Sequence, residues 1–325
     1  MIVLENVTKT FPNAERPAVD GVNFQVEEGH ICVLVGPSGC GKTTILRMIN
    51  RLIEPDGGDI YVRGQRLQDD QVDPNQLRRQ IGYVIQQIGL LPHRTIEQNV
   101  ALVPKLLNWA EEDIRRRVEE LLEMVGLDPD QVRDQYPLQL SGGMMQRVGV
   151  ARALAADPPI MLMDEPFGAV DPIVRARLQD EFLRLQREMK KTICFVTHDI
   201  NEAIKMGDQI VVLNEGRVVQ VGTPMRILSH PADGFVQDLI GIEREIKLLE
   251  LTRAEVLMTS KPSTSVAKKE VAVSVQAVEP AQRALELMMK HDTDIVGVHQ
   301  HGELVGVISW DDIKKYIKNI RGDAP

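Results

Sequence analysis

Gly36-Pro37-Ser38-Gly39-Cys40-Gly41-Lys42-Thr43-Thr44 stands between the apolar run Ile31 to Val35 and a stretch from Lys42 to Leu52 with helical spacing. A strand, a glycine-rich turn and a helix, in that order, make a cradle for phosphates. Glycines let successive backbone N–H groups turn inward, and the start of the helix adds a partial positive charge. Lys42 is placed to reach the β- and γ-phosphates of a nucleotide, Thr43 to offer a hydroxyl to Mg²⁺, and Thr44 to touch the α-phosphate.

Such a cradle needs acids beside it, and the run Ile160-Met161-Leu162-Met163 ends in Asp164-Glu165. A buried strand delivers both carboxylates to its C-terminal edge, where ligands of open α/β sheets bind. Asp164 is the expected Mg²⁺ ligand and Glu165 the expected base for an attacking water. Further strands are expected at Ile2 to Val7, Val22 to Val26, Ile193 to Val196 and Gln209 to Leu213. Between the two halves, from Thr95 to Ala155, the period becomes helical, with Ile114, Val118, Leu121, Leu122 and Val125 on one face. A later helix is read from Val174, Leu178, Phe182, Leu185 and Met189. The expectation is a mixed α/β domain with an antiparallel strand element and a helical insertion.

Composition narrows the function classes. The chain has 325 residues, a formal net charge of −9 and an isoelectric point near 5.4, so broad attraction to nucleic acid is not expected. Its three cysteines, Cys32, Cys40 and Cys194, lie in or beside apolar runs, which fits a reducing compartment better than a disulfide framework. No run reaches the roughly 18 apolar residues of a membrane span. Any work at a membrane is expected to go through a partner.

Gly82-Tyr83-Val84-Ile85-Gln86, Leu140-Ser141-Gly142-Gly143 and Val196-Thr197-His198-Asp199 follow in order along the chain. With the two motifs above, this set resembles the Q-loop, signature and switch histidine of ABC ATPases over residues 1 to about 241. The resemblance implies ATP and Mg²⁺ as ligands, with Phe11 stacking on adenine. It implies that Gln86 senses Mg²⁺ and the transport partner, and that Phe167 to Asp171 form the D-loop. Ser141, Gly142 and Gly143 would contact the γ-phosphate held by a second copy, so that ATP joins a homodimer, and His198 would bond the γ-phosphate. Met144 and Val170 depart from the family's usual Gln and Leu.

The stretches Tyr83 to His93, Ala101 to Lys105 and Glu165 to Ala169 are similar to ATPases of quaternary-amine osmoprotectant importers. That resemblance implies transmembrane permease subunits and a substrate-binding protein as partners. It also implies a peripheral place on the cytoplasmic face of the membrane. A soluble ABC ATPase without a permease, or a motor for another small solute, are the rival readings.

Past residue 241 the charged stretch 242–254 reads as a linker. Residues 255–317 resemble one cystathionine-β-synthase (CBS) motif, and residues 318–325 form a tail. There Ala284, Leu285 and Met288 make a helical stripe, with Met289 counted in the core. Ile295 to Val298 and Leu304 to Ile308 read as a hairpin. Ser309, Asp311 and Asp312 match the pattern that holds a ribose, and Lys314, Lys315, Lys318 and Arg321 recur at helical spacing.

Overall fold

Short β-branched runs bounded by Gly, Asn and Asp become strands, and the longer amphipathic stretches become helices. The computed structural model describes residues 1–85, 89–168, 170–241, 243–260 and 272–321. Two compact units divide the chain, residues 1–224 and 225–325.

The first unit opens with β1 (Ile2–Lys9), β2 (Val19–Val26), β3 (Ile31–Val35), α1 (Lys42–Ile49), β4 (Gly57–Val62) and β5 (Gln65–Arg66). Then come α2 (Pro74–Arg79), β6 (Ile81–Val84), α3 (Ile96–Val100), α4 (Leu102–Leu106), α5 (Glu111–Met124), α6 (Pro129–Val132) and α7 (Gly142–Leu154). It closes with β7 (Ile160–Asp164), α8 (Pro172–Met189), β8 (Thr192–Thr197), α9 (Ile200–Met206), β9 (Gln209–Asn214) and β10 (Arg217–Gly222). An antiparallel sheet has the order β2-β1-β4-β5, and a larger one the order β10-β9-β3-β8-β7-β6. The larger sheet is parallel except for β10. Every residue of β3, β7 and β8 is buried, as expected of strands covered on both faces. One core joins Ile2, Leu4 and Phe24 of the antiparallel sheet to Leu34, Leu162 and Val196 of the parallel one, with Leu46 and Ile49 of α1 between them.

Helices α3 to α7 fill the interval between β6 and β7, where the helical insertion is expected. Thr95 starts them with a capping box shared with Gln98, and the face Ile114, Val118, Leu121, Leu122 and Val125 is buried.

Helix α8 carries the stripe read for it, with Phe182 buried and Leu178, Leu185 and Met189 half-buried, but its most buried face also includes two glutamines. Its buried residues are Gln179, Phe182 and Gln186, whereas Val174 is 43% exposed. The two glutamines are held inside by partners: Gln186 donates to the Gly29 carbonyl and Gln179 to Glu202.

The second unit comprises α10 (Pro224–Ser229), α11 (Gly234–Ile240), α12 (Arg244–Leu251), α13 (Ala254–Leu257), β11 (Thr259–Ser260), β12 (Ser274–Gln276), α14 (Ala281–His291), β13 (Ile295–Gln300), β14 (Glu303–Ser309) and α15 (Trp310–Arg321). Its sheet runs β11-β14-β13-β12, with β12 parallel to β13 across the α14 crossover and β13–β14 the hairpin. Helix α12 occupies most of the stretch read as a linker. Its Leu248 and Leu249 are buried, and Leu249 joins the core of the unit with Ala254 and Leu257. Met288 is buried at 3% exposure, but Met289 is 75% exposed on the outer face of α14, which removes it from the core. The two are consecutive, and one helical step of about 100° separates inside from outside.

Candidate functional site

In the order β9-β3-β8-β7 the three central strands all point their C-terminal ends the same way. Val35 pairs with Thr197, and Val196 with Asp164, so the ends of β3, β8 and β7 share one row about 4.8 Å apart. The loop 36–41 leaves from β3, His198 follows β8, and Asp164 and Glu165 end β7. The register alone brings the expected groups to one edge.

The cradle depends on its glycines. A Cβ on Gly36 would meet the Leu213 carbonyl oxygen at 2.1 Å, and one on Gly41 the Ala18 oxygen at 2.3 Å; both residues have positive φ. Pro37, Ser38 and Gly39 are exposed on the loop, while Cys40 is buried. Lys42 opens α1 and is buried; its Nζ donates to the carbonyls of Gly36 and Pro37 at 2.7 and 2.8 Å and lies 3.7 Å from Cys40 Sγ. Thr44, beside it, is half-buried.

The Thr43 hydroxyl donates to Asp164 Oδ1 at 3.0 Å. Burial pushes the Asp164 carboxyl up from the ordinary range, with the Thr43 bond opposing and the neighbouring Glu165 charge adding to the shift. These two oxygens fit a hard cation such as Mg²⁺, which takes a few protein oxygens and completes its shell with phosphate and water.

Glu165 sits just past β7 with φ 48, and its backbone N–H donates to the Val196 carbonyl. His198 Nδ1 lies 3.2 Å from Glu165 Oε1. The Gln146 amide, 6% exposed on α7, donates to the Glu165 carbonyl at 3.2 Å. Gln146 is a contributor that the sequence reading missed; its only signal was a lone amide in the apolar run of α7.

Ser141 caps α7, its hydroxyl accepting from Met144 N–H at 3.3 Å. Gly142 and Gly143 begin that helix, and a Cβ on either would meet nothing within 4 Å. Asp171 caps α8 by accepting from Ile173 N–H, and Val170 is buried. Phe11, on the loop after β1, is 38% exposed. Gln86 lies outside the described residues. In the second unit the Ser309 hydroxyl and N–H both donate to Asp312 Oδ2, so the pair read as ribose-binding forms the cap of α15. Lys314 lies over the Trp310 ring at 5.9 Å and 3.8 Å from Asp311, with Lys315 and Lys318 exposed.

A strand-borne phosphate cradle, a Thr–Asp pair beside it and a Glu–His pair at the same sheet edge define a nucleotide hydrolase of the P-loop class. The ABC transporter family model matches residues 19–168, and the CBS domain model residues 254–319. The chain belongs to the ATP-binding, ATP-hydrolysing subunits of ABC transporters. It is 49% identical to the choline transport ATP-binding protein of Bacillus subtilis (strain 168), over 94% of this chain and 79% of that one. It is 50% identical to the osmoprotectant import ATP-binding protein of Salmonella typhimurium (strain LT2), over 92% of this chain and 76% of that one. Among solved structures, a dimeric ATP-binding cassette in a post-hydrolysis state with ADP and Pi superposes with a TM-score of 0.63 at 38% identity, covering 69% of this chain and 99% of that one.

Proposed function

We propose that this chain is the motor of a bacterial importer for quaternary-amine osmoprotectants such as glycine betaine, choline and carnitine. The observation that carries the chemistry is the pair of contacts at one sheet edge, Thr43 to Asp164 at 3.0 Å and Glu165 to His198 at 3.2 Å. The solute class rests on relatives whose names specify choline, glycine betaine and carnitine, one of them 52% identical over 85% of this chain.

In this reading the loop Gly36 to Gly41 wraps the phosphates with backbone N–H groups, and Lys42 exchanges its two carbonyl partners for phosphate oxygens. Phe11 packs on adenine. Thr43 and Asp164 would hold Mg²⁺, which would supply neutralisation of phosphate charge. Glu165 orients and polarises the attacking water, and His198 holds Glu165 from one side while facing the γ-phosphate from the other. Ser141, Gly142 and Gly143 serve the nucleotide of a second copy, with Asp171 lining the joint between copies. Gln86 passes the closing motion to the permease.

Among the described residues no helix is long and apolar enough to cross a membrane, so attachment to the cytoplasmic face runs through permease subunits, with a substrate-binding protein feeding them. Affinity capture of the tagged chain from membranes tests this. The expected result is a polytopic permease in the eluate and ATP-dependent uptake of labelled glycine betaine, choline or carnitine by the reconstituted complex. Capture without any membrane subunit would refute it.

A further inference from the structure

Three polar side chains lie buried behind the site, in none of the roles above: Gln179 on α8 at 5% exposure, Thr197 at the end of β8 at 2% and Glu202 on α9 at 8%. Gln179 and Glu202 are bonded to each other, with Thr197 beside the carboxyl. The Gln179 amide donates to Glu202 Oε1 at 2.8 Å, and Thr197 is close enough to offset part of the burial cost of the Glu202 carboxyl. Thr197 in turn accepts from the Asp199 N–H at 3.0 Å. His198 therefore stands between two residues fixed by this cluster. On the other side Arg175 faces Glu202 and donates to the Val170 carbonyl at 3.0 Å, inside the stretch that leads to the Asp171 cap of α8.

A buried carboxyl is costly unless it is bonded, and burial does push the Glu202 carboxyl up from its usual range. An apolar residue would fill the space between α8 and α9 at lower cost. What the polar cluster supplies is directionality: the Gln179–Glu202 bond ties α8 to α9 at a defined angle, where apolar packing tolerates sliding. Both helix starts carry functional loops, α9 the switch His198 and α8 the Val170–Asp171 stretch.

We propose that Glu202, Gln179 and Thr197 form a positioning joint that locks the His198 turn and the Val170–Asp171 stretch into one rigid body, so that His198 meets Glu165 at the right distance when ATP is bound. None of the three touches nucleotide. The joint rests on the roles given above to Glu165 and His198, and acts on turnover rather than on binding.

The test uses the full-length chain and steady-state ATP hydrolysis, with thermal melting and nucleotide affinity measured on the same samples. Glu202→Leu and Gln179→Leu should each lower kcat about tenfold while KM for ATP stays within twofold. The double variant should lose no more than the worse single one, because the residues act as a unit. Glu202→Gln, which keeps an acceptor for the Gln179 amide, should retain at least half of wild-type kcat. If Glu202→Leu does not fold, Thr197→Val with Gln179→Leu carries the same comparison. Wild-type kcat in the leucine variants, losses that add in full, or losses that follow the folded fraction or KM would each overturn the joint. His198→Ala separates the two readings: if it hydrolyses ATP normally, the assignment of the site fails, whereas a defective His198→Ala beside unaffected Gln179 and Glu202 variants rejects the joint alone.

Discussion

The two glycine-rich loops of the first unit are built on opposite terms. In the loop 36–41, Gly36 and Gly41 are required by this chain itself, since a Cβ on either would collide with a backbone oxygen at 2.1 or 2.3 Å. Lys42 is likewise satisfied internally by two carbonyls. At the start of α7, a Cβ on Gly142 or Gly143 would meet none of the described residues within 4 Å, and Ser141 is exposed and caps the helix. One loop is shaped by its own fold, while the other leaves room for something else to approach. The first N–H groups of a helix can receive an anion, and a Cβ at Gly142 or Gly143 meets none of the described residues within 4 Å.

The comparison breaks first at Glu165. If ATP joins the closed cradle of one copy to the open loop of another, Glu165→Gln should cut ATP hydrolysis by about 10²-fold or more while the dimer accumulates with ATP and Mg²⁺. Sedimentation with and without ATP reads this, and near-normal hydrolysis would remove Glu165 from its role.

The glycines themselves are the sharper instrument. Gly36→Ala must displace a strand end or the loop and should cost about 3 kcal/mol or more of stability, visible in urea melts. Gly142→Ala should leave the melt within about 0.5 kcal/mol yet lower ATP hydrolysis roughly tenfold, since the added methyl meets only the incoming nucleotide. A Gly142→Ala protein with unchanged hydrolysis would show that the open loop is merely unoccupied surface.

Mixing tests whether the two loops serve one nucleotide. Chains carrying Ser141→Arg and chains carrying Lys42→Ala are each inactive in this reading, but their mixed dimer has one site with both defects and one with none. Part of the wild-type hydrolysis should return on mixing. Mixed dimers that form without any recovery would dissociate the two loops.

A change of opposite sign in stability is expected inside the cradle. An acid held above its ordinary range binds its proton more tightly in the folded state, so its favourable contribution is present in acid and lost as the pH rises. The Asp164 carboxylate thus weighs against the empty fold at neutral pH. Asp164→Asn should raise the melting temperature of the nucleotide-free chain by a few degrees at pH 7, converging with wild type below about pH 4, while Mg²⁺-dependent hydrolysis disappears.

Much of this was legible in the residues. The strand-loop-helix order around Lys42 and the acids after Ile160 to Met163 fixed the site edge, because burial on both faces leaves continuous apolar runs that periodicity finds. Less legible was α8, whose inward face carries Gln179 and Gln186. A buried glutamine announces itself only through a partner far along the chain, here Gly29 and Glu202. Helix α12 was hidden for a related reason: its charged outer face looked like a linker, and the leucines that anchor it, Leu248 and Leu249, are only two. Ser309 and Asp312 carried a nucleotide pattern that also spells a helix cap, and the structure satisfies the cap.

All three native cysteines are buried, two of them side by side on β3 and β8 and the third within the phosphate loop. Leu138, three residues ahead of Ser141, is 86% exposed. A cysteine placed at Leu138 is therefore the thiol that a maleimide reaches first, with no native thiol needing removal. A fluorophore or spin label there sits beside the open loop of α7. Its signal reports in real time, and in a fully wild-type interior, the moment another molecule arrives at that loop.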